Sequence, residues 1–273
     1  MALSIATNIG ALSASKAASG VQSSMEVSMA RLASGKRINS AADDSAGLAI
    51  ASRLTAEARG LDMANRNAAD AKSMINTIES AHNEIDAILQ RMRELAVQGA
   101  TDTNGTADRT NIRTELEALR TEIDAISTQT RWAGQSLINA ATTFTFQVGD
   151  RGSETLTVAT TAVTADGLSV SDVSGLTSAS AFSSFIDTVN TAVATIATNR
   201  AGYGANANRL DHTMSHLATN SEAVKASLGR IQDTDYAAET TNLAKDQILQ
   251  QAATSMLAQA NASKQTILSL IQG

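Results

Sequence analysis

The sequence predicts a mainly α-helical protein, built as a long antiparallel coiled-coil bundle with a small β-hairpin region. The chain of 273 residues contains no proline, although a typical chain of this length carries roughly 14 prolines, which interrupt helices. Aromatic residues make up only 3% against 43% hydrophobic residues, so the apolar content is aliphatic and suits narrow helical seams. Apolar residues also recur over long stretches in alternating steps of three and four, the spacing of a coiled coil.

Composition and charge exclude several classes of function. The chain has no cysteine, so disulfides, thiolate nucleophiles and cysteine metal sites are absent. The formal charge of −6 comes without a basic stripe, so we expect no nucleic-acid partner. No stretch approaches the roughly 20 apolar residues of a membrane span, and the first ten residues lack the pattern of a secretory signal. We therefore expect no membrane partner and no conventional signal peptide.

The first expected element is an N-terminal helix with an apolar stripe. Its members are Ile5, Ile9, Leu12, Val21, Met25, Met29 and Leu32. The adjacent carboxylates Asp43 and Asp44 follow this helix. With no partner acid or pocket to argue for catalysis, we interpret them as caps of a short helix that begins near Ser45.

The longest seam predicts a helix of about 38 residues. Its members are Leu61, Ala64, Ala68, Ala71, Ile75, Ile78, His82, Ile85, Leu89, Met92 and Ala96. We interpret His82 as a packed polar break that helps to fix the register. Gly99 and the polar residues 101–106 end the seam, and the same spacing resumes over 112–126. A connection this short predicts that the second helix returns antiparallel to the first.

The centre of the chain changes period. Phe144, Phe146 and Val148 alternate with polar residues, turn residues follow, and Leu156 and Val158 alternate again, which predicts a β-hairpin in a region of about 140–180. The residues that follow it are expected to form another short strand or a surface loop. Heptad spacing then returns over 185–231 and predicts a third long helix, with an expected weak point at Gly202 and Gly204.

The C-terminal helix carries a broad apolar face. Its seam is Leu249, Ala253, Met256, Ala260, Ser263, Ile267 and Leu270, widened by Ile248, Ala252, Leu257, Leu268 and Ile271. One neighbouring helix cannot cover such a face, so we expect the two termini to pair with each other and with other copies, and to be disordered in an isolated monomer. Asp233 or Thr234 is the expected N-cap. We predict a discontinuous terminal-helix domain, 1–40 plus 234–273, and a bundle domain over 41–233.

Two patterns suggest chemistry only superficially. His212 and His216 have the i, i+4 spacing of metal ligands, but no third ligand is evident, so a solvated helix face is favoured. The run Gly202–Ala207 matches a nucleotide loop but lacks the strand that such a loop requires. We predict that the protein is not an enzyme and binds no cofactor. A metal enzyme built on the two histidines and a helical signalling hairpin, like a chemoreceptor cytoplasmic region, are the alternatives.

Three segments resemble bacterial flagellin. They are RLASGKRINSAADDSAGLAI at residues 31–50, ARGLDMANRNAADAKSMINTIESAHNEIDAILQRMRELAVQGA at 58–100, and DTDYAAETTNLAKDQILQQAATSMLAQANASKQTILSLIQG at 233–273. The resemblance implies a structural subunit that polymerises into the flagellar filament for swimming, with terminal helices in the inner core. The centre is too short for large outer domains, so a short form with two layers is implied. A flagellar junction protein is the nearest structural alternative.

The resemblance also implies sites and partners. The implied polymerisation residues are Ile5, Ile9, Leu12, Leu32, Leu249, Met256, Leu257, Ile267, Leu268 and Leu270. The implied partners are further copies of the chain, an export chaperone on Leu249–Leu270, the flagellar type III export apparatus, and filament cap and junction proteins. The location is then extracellular, without a cleaved signal peptide. The resemblance also implies that the vertebrate receptor for flagellin (toll-like receptor 5) recognises Arg91, Leu95 and Glu115. Helical spacing alone predicts only a solvated charged face here, with an ion pair between Arg91 and Glu94.

Overall fold

A computed structural model describes the backbone of residues 7–272 and the side chains of residues 7–266. Its elements are α1 (Ile9–Ser34), α2 (Ser45–Gly99), α3 (Thr106–Gln129), β1 (Arg131–Trp132), β2 (Gln135–Ser136), β3 (Thr142–Gln147), β4 (Thr155–Thr160), α4 (Ala179–Gln232) and α5 (Tyr236–Gln272). The predicted helical fold with a small hairpin region is confirmed. Within the described range, none of these helices is both long and apolar enough to cross a membrane.

The chain divides into two compact units. One unit combines the chain up to Ala56 with the chain from Ala223 onward, and the other spans Glu57–Glu222. We call the first the terminal unit and the second the bundle unit. The helices α2 and α4 contribute residues to both. The domain division expected at residues 40 and 233 stays a prediction.

The start of α2 lies in the terminal unit and is capped by a carboxylate. Oδ1 of Asp44 accepts a hydrogen bond from the backbone N–H of Gly47 at 2.9 Å, which confirms its expected role. Asp43 instead accepts hydrogen bonds from the backbone of Asn39 and Ser40 before the helix begins. The helix that starts here is not short, because it continues for 55 residues into the long seam.

The long seam of α2 forms the centre of the bundle unit. All eleven seam residues predicted between Leu61 and Ala96 are at most 2% exposed. The apolar seam residues from Ala68 to Ala96 pack in one core with Leu116 and Ile123 of α3 and with Phe185, Val189 and Ile196 of α4. Each fully buried aliphatic side chain of this kind contributes about 1.5–3 kcal/mol relative to exposure. The bundle is therefore held by the seams that the sequence predicts.

The turn between α2 and α3 returns the chain antiparallel, as predicted. Arg109 stabilises this turn, because its Nε donates to the carbonyl of Gly99 and its Nη2 to that of Thr101, both at 3.2 Å. Asp108 accepts from the backbone N–H of Gly105 at 3.0 Å and closes the start of α3. The polar residues of this segment thus satisfy the backbone groups that a helix end leaves free.

The central region contains the predicted β-hairpin. In it β3 pairs antiparallel with β4, with Phe144 opposite Val158 and Phe146 opposite Leu156. Residues 161–178 form a loop rather than another strand, and this loop buries Val163, Leu168 and Val170 in the core of the unit. The helix α4 then runs unbroken through Gly202 and Gly204, so the weakening expected at these glycines does not interrupt the helix and stays a prediction.

Two connecting segments meet in the terminal unit. Gly35 ends α1 with a φ of 70°, and its carbonyl accepts from the N–H of Thr234 at 3.0 Å. The N–H of Arg37 donates to the carbonyl of Gln232, and Lys36 forms an antiparallel bridge with Asp233.

The N-cap of α5 is Asp235, which accepts from the N–H groups of Ala237 and Ala238. The predicted caps Asp233 and Thr234 are wrong, because the backbone of both residues pairs with the segment that follows α1.

Candidate functional site

The candidate site is the surface of the pair formed by α1 and α5, which pack against each other. The buried residues of the pair are small or polar: Ala14 and Ser28 of α1, and Glu239 and Ala253 of α5. At Gly10 a β-carbon would lie 3.6 Å from Cβ of Ala260, an ordinary contact distance. Because small side chains fill the seam, most of the larger apolar side chains remain on the outside of the pair.

Polar side chains align α1 with α5. The Nδ2 of Asn8 donates to the carbonyl of Ala260 at 3.1 Å, while its Oδ1 caps α1 by accepting from the N–H of Ala11. In the middle of the pair, Nε2 of Gln250 donates to Oε1 of Gln22 at 3.3 Å. The sequence analysis missed these contacts, although an Asn directly before a helix was a recognisable capping signal.

The end of the pair is closed by two further contacts. The hydroxyl of Tyr236 donates to the carbonyl of Leu32 at 3.2 Å. Arg31 lies 3.8 Å from the carboxylate of Glu239, a distance typical of a loose ion pair. Because Glu239 is largely buried, this guanidinium is the charge that compensates it.

The predicted polymerisation residues fall into three groups. Ile9, Leu12, Leu249 and Met256 are exposed, and all but Leu249 are at least 67% exposed. Leu32 and Leu257 are half-buried within the terminal unit. Ile5 lies outside the described residues, as do the side chains of Ile267, Leu268 and Leu270. Ile248, assigned only to the wider apolar face, is 66% exposed and belongs to the same surface.

The exposed part of α5 is also uncharged. Residues 247–263 contain no Asp, Glu, Lys or Arg. Beside them lies an apolar groove lined by Gly10, Met256, Ala260 and Ser263. Such a surface can be buried without desolvating charges, so another apolar surface is its natural counterpart.

A second surface lies on α2 and α3. Both Nε and Nη2 of Arg91 donate to Oε1 of Glu115, at 3.0 and 2.8 Å, and its Nη1 donates to Glu94 at 3.1 Å. The hydrogen bonds accepted by Glu115 and then Glu94 raise the pKa of Arg91. The Arg91–Glu94 pair predicted from helical spacing is confirmed. Leu95, by contrast, is only 2% exposed and lies in the core beneath this ion pair.

The two histidines with metal-ligand spacing lie on an open helix surface. His212 and His216 are exposed on α4. Across the described part of the chain, no three His, Cys, Asp or Glu side chains are grouped as metal ligands. The described geometry therefore gives the metal-enzyme alternative no support.

Comparison with protein families gives two matches. A model of the bacterial flagellin N-terminal helical region matches residues 5–143, and a model of the bacterial flagellin C-terminal helical region matches residues 186–271. The unmatched centre contains β4 and the loop that follows it.

Individual relatives cover nearly the whole chain. The flagellin of Bacillus subtilis is 36% identical, over 97% of this chain and 98% of its own length. Flagellin A of Vibrio cholerae is 31% identical over the full length of both chains. That alignment extends over 379 residues, more than the 273 of this chain, so the Vibrio relative contains segments that this chain lacks.

Two solved structures are similar to the chain. The crystal structure of Bacillus cereus flagellin matches with a TM-score of 0.50 and 32% identity, over 58% of this chain and 94% of that one. A putative flagellar hook-associated protein from Vibrio parahaemolyticus matches with a TM-score of 0.58 over 70% of this chain and all of its own. At 16% identity the second likeness concerns the fold alone.

Proposed function

The chain belongs to the bacterial flagellin family, and we infer that it is a structural subunit that polymerises into the extracellular flagellar filament for motility. It is not an enzyme, because flagellins form a family of structural proteins. One observation carries the assembly role: the α1–α5 pair leaves large apolar side chains exposed, and those of α5 lie on a stretch, residues 247–263, that contains no charged residue. A subunit that acts alone gains nothing from such a surface, whereas a polymer buries it.

The assembly mechanism that we propose is association of terminal-helix pairs. Ile9, Leu12, Leu249 and Met256 contact neighbouring subunits directly, since their side chains are exposed. Leu32 and Leu257 are half-buried and act by holding the α1–α5 pair together. Ile5, Ile267, Leu268 and Leu270 are assigned to the same interface from the sequence pattern. Burial contributes about 25 cal/mol per Å² of apolar area and offsets the ordering of the ends.

The layer assignment follows from this mechanism. Residues 1–40 with 234–273 form the inner layer of the filament, and residues 41–233 form the surrounding layer. The chain has no long insertion between its two family-matched regions, which agrees with a short form of two layers.

Export and tip assembly require further partners. We propose that the chain leaves the cell unfolded through the flagellar type III apparatus, without a cleaved signal peptide. An export chaperone binds around Leu249–Leu270, because the apolar surface there needs cover before assembly. Filament cap and junction proteins are the partners at the ends of the filament. The lack of cysteine agrees with passage as an open chain.

Recognition by the vertebrate receptor for flagellin is the third part of the proposal. Arg91 and Glu115 supply exposed charges side by side on neighbouring helices. Leu95 lies beneath them and acts by holding the α2 surface in place rather than as a large exposed contact.

The remaining alternatives are less well supported. A helical signalling hairpin requires heptads that continue around a central tip, whereas β3, β4 and the loop over 161–178 interrupt them here. A junction protein is disfavoured by 36% identity to a flagellin over almost the full length of both chains.

A truncation tests the assembly mechanism. We expect that a chain lacking residues 240–273 stays soluble and helical by circular dichroism, because the bundle unit has its own core. It should form no filaments when it is seeded and viewed by electron microscopy, while the full chain polymerises under the same conditions. Normal filaments from the truncated chain would overturn the mechanism.

A further inference from the structure

His82 is a fully buried titratable group that lies outside the proposed assembly surface. It occupies a seam position of α2 in the bundle unit and is 0% exposed. The chain contains three histidines, and the other two, His212 and His216, are exposed on α4. A protonated imidazole carries a positive charge, which costs free energy in an apolar seam.

Hydrogen-bond geometry defines the tautomer of the neutral ring. Nδ1 of His82 lies 2.9 Å from the carbonyl oxygen of Ile78. A carbonyl oxygen only accepts, so Nδ1 carries the hydrogen. In the neutral ring Nε2 is then an acceptor, and this atom is buried without a hydrogen-bond partner. A second proton would have to bind at Nε2, where no group is placed to receive its hydrogen bond.

The neighbouring groups give little support to a positive charge. The ring of Tyr203 on α4 lies edge to face with the His82 ring, at 5.3 Å between centroids. Arg200 on α4 and Glu79 on α2 form a loose ion pair at 3.8 Å. Arg200 opposes protonation of His82 and Glu79 favours it, so their effects partly cancel.

Burial has the largest effect on His82. It lowers the pKa of the imidazole below the ordinary value of 6.5, more than the Ile78 carbonyl raises it. Burial also raises the pKa of the Tyr203 hydroxyl, so the phenol is neutral in the same pH range. Both aromatic groups of the pair are therefore uncharged in the folded bundle at neutral pH.

We propose that His82 is an acid-sensitive site of the bundle: the folded seam holds the ring neutral, and the ring takes up a proton when the seam opens. Between pH 6.5 and the lower folded pKa, the unfolded chain binds more protons at this position than the folded chain. Stability is therefore fully present above pH 6.5 and is lost as the pH falls through this window. A mildly acidic medium then favours the opened subunit before the carboxylates titrate.

Denaturation of the full-length soluble subunit at pH 7.5, 6.5 and 5.5 tests this site. One proton per molecule increases the unfolding constant by up to about tenfold per pH unit. We expect the unfolding constant to rise as the pH falls in the wild type. The control His212→Gln/His216→Gln, which removes both exposed histidines, should show the same rise. His82→Gln cannot titrate, so its unfolding constant should change much less over the same range. Equal pH dependence in His82→Gln and the wild type would overturn the proposal, as would loss of the dependence in the control.

A titration of the wild type keeps the proposal testable if His82→Gln fails to fold. The imidazole signal of His82 can be followed by nuclear magnetic resonance in the folded subunit, with the two exposed histidines in the same sample. We expect the His82 signal to keep its neutral position at pH 6.5, where about half of an ordinary histidine is protonated. A half-protonated His82 in folded protein at that pH would contradict the proposal.

Discussion

Arg91 and Glu115 join α2 to α3 through two hydrogen bonds to one oxygen: Nε and Nη2 of Arg91 both donate to Oε1 of Glu115, at 3.0 and 2.8 Å. Both side chains are about half exposed, at 50% and 46%. Exposed ion pairs contribute little to stability because water and salt screen them. The pair is therefore better suited to present charge to a partner than to hold the two helices together.

Reversing this pair separates recognition from folding. In Arg91→Glu/Glu115→Arg the attraction between positions 91 and 115 is retained with each charge reversed, whereas the Arg91–Glu94 pair becomes a repulsion. An exposed like-charge pair of this kind costs only about 0.2–0.5 kcal/mol, so we expect a slightly lower unfolding midpoint. Activation of receptor-expressing cells by the soluble subunit should be lost, because a partner that reads these charges meets the opposite ones.

The matched control is the swap Lys72→Asp/Asp211→Lys. Lys72 of α2 and Asp211 of α4 also form a partly exposed ion pair between two helices, but away from the proposed recognition surface. We expect this variant to activate the cells like the wild type. Full activation by the Arg91/Glu115 swap would remove these two residues from the recognition site.

Exposed methionines distinguish assembly from general surface effects. Met256 of α5 is 67% exposed and lines the apolar groove, whereas Met63 of α2 is 48% exposed in the bundle unit. We expect Met256→Ser to raise the critical concentration for polymerisation by about tenfold or more, because burying a methionine contributes about 1.5–3 kcal/mol and about 1.4 kcal/mol is a factor of ten. Met63→Ser should polymerise like the wild type. Light scattering after seeding measures the critical concentration of each variant. An equal effect of the two substitutions would contradict the assignment of Met256 to the assembly surface.

The core of the bundle could be predicted from the sequence because one helix face meets one core. Every seam residue predicted on α2 between Leu61 and Ala96 is buried. The other elements of the bundle unit pack on this apolar face of α2, so the helix can bury the face in only one orientation. The α2–α3 turn was predictable because the polar residues that follow Gly99 cannot continue the apolar seam. Gly99 itself is the last helical residue of α2 and does not have a positive φ.

The contact face of α5 could not be predicted from periodicity. Leu249 and Met256 share a heptad stripe with Ala253 and Ala260. Ala253 is nonetheless buried and Ala260 lies against Gly10 of α1, whereas Leu249 and Met256 are exposed. Close helix packing favours small side chains, while the larger ones remain available to other copies. The heptad pattern marks one wide apolar face of α5, and it does not say which residues of that face contact α1.

The cap of α5 shows the same limit on a smaller scale. Asp233, Thr234 and Asp235 are all suitable capping residues and are adjacent in the sequence. The backbone of Asp233 and Thr234 pairs with the segment after α1, so the capping position moves to Asp235. The residue that caps α5 is thus determined by a contact between residues about 200 positions apart in the sequence.

Two glycine substitutions with opposite expected signs test how the bundle unit is packed. A β-carbon on Gly202 of α4 meets nothing within 4 Å, so Gly202→Ala adds helix propensity without a clash. We expect it to stabilise the bundle by about 0.5–1 kcal/mol, the usual difference between Gly and Ala inside a helix.

A β-carbon on Gly99 of α2 would lie 2.6 Å from the ring of Phe182, which is 0% exposed and has no room to retreat. Gly99→Ala should therefore destabilise by about 1–3 kcal/mol through overpacking. Chemical denaturation of both variants at pH 7.5 measures the difference, and a loss of stability in Gly202→Ala would mean that the flexibility at this position of α4 is required.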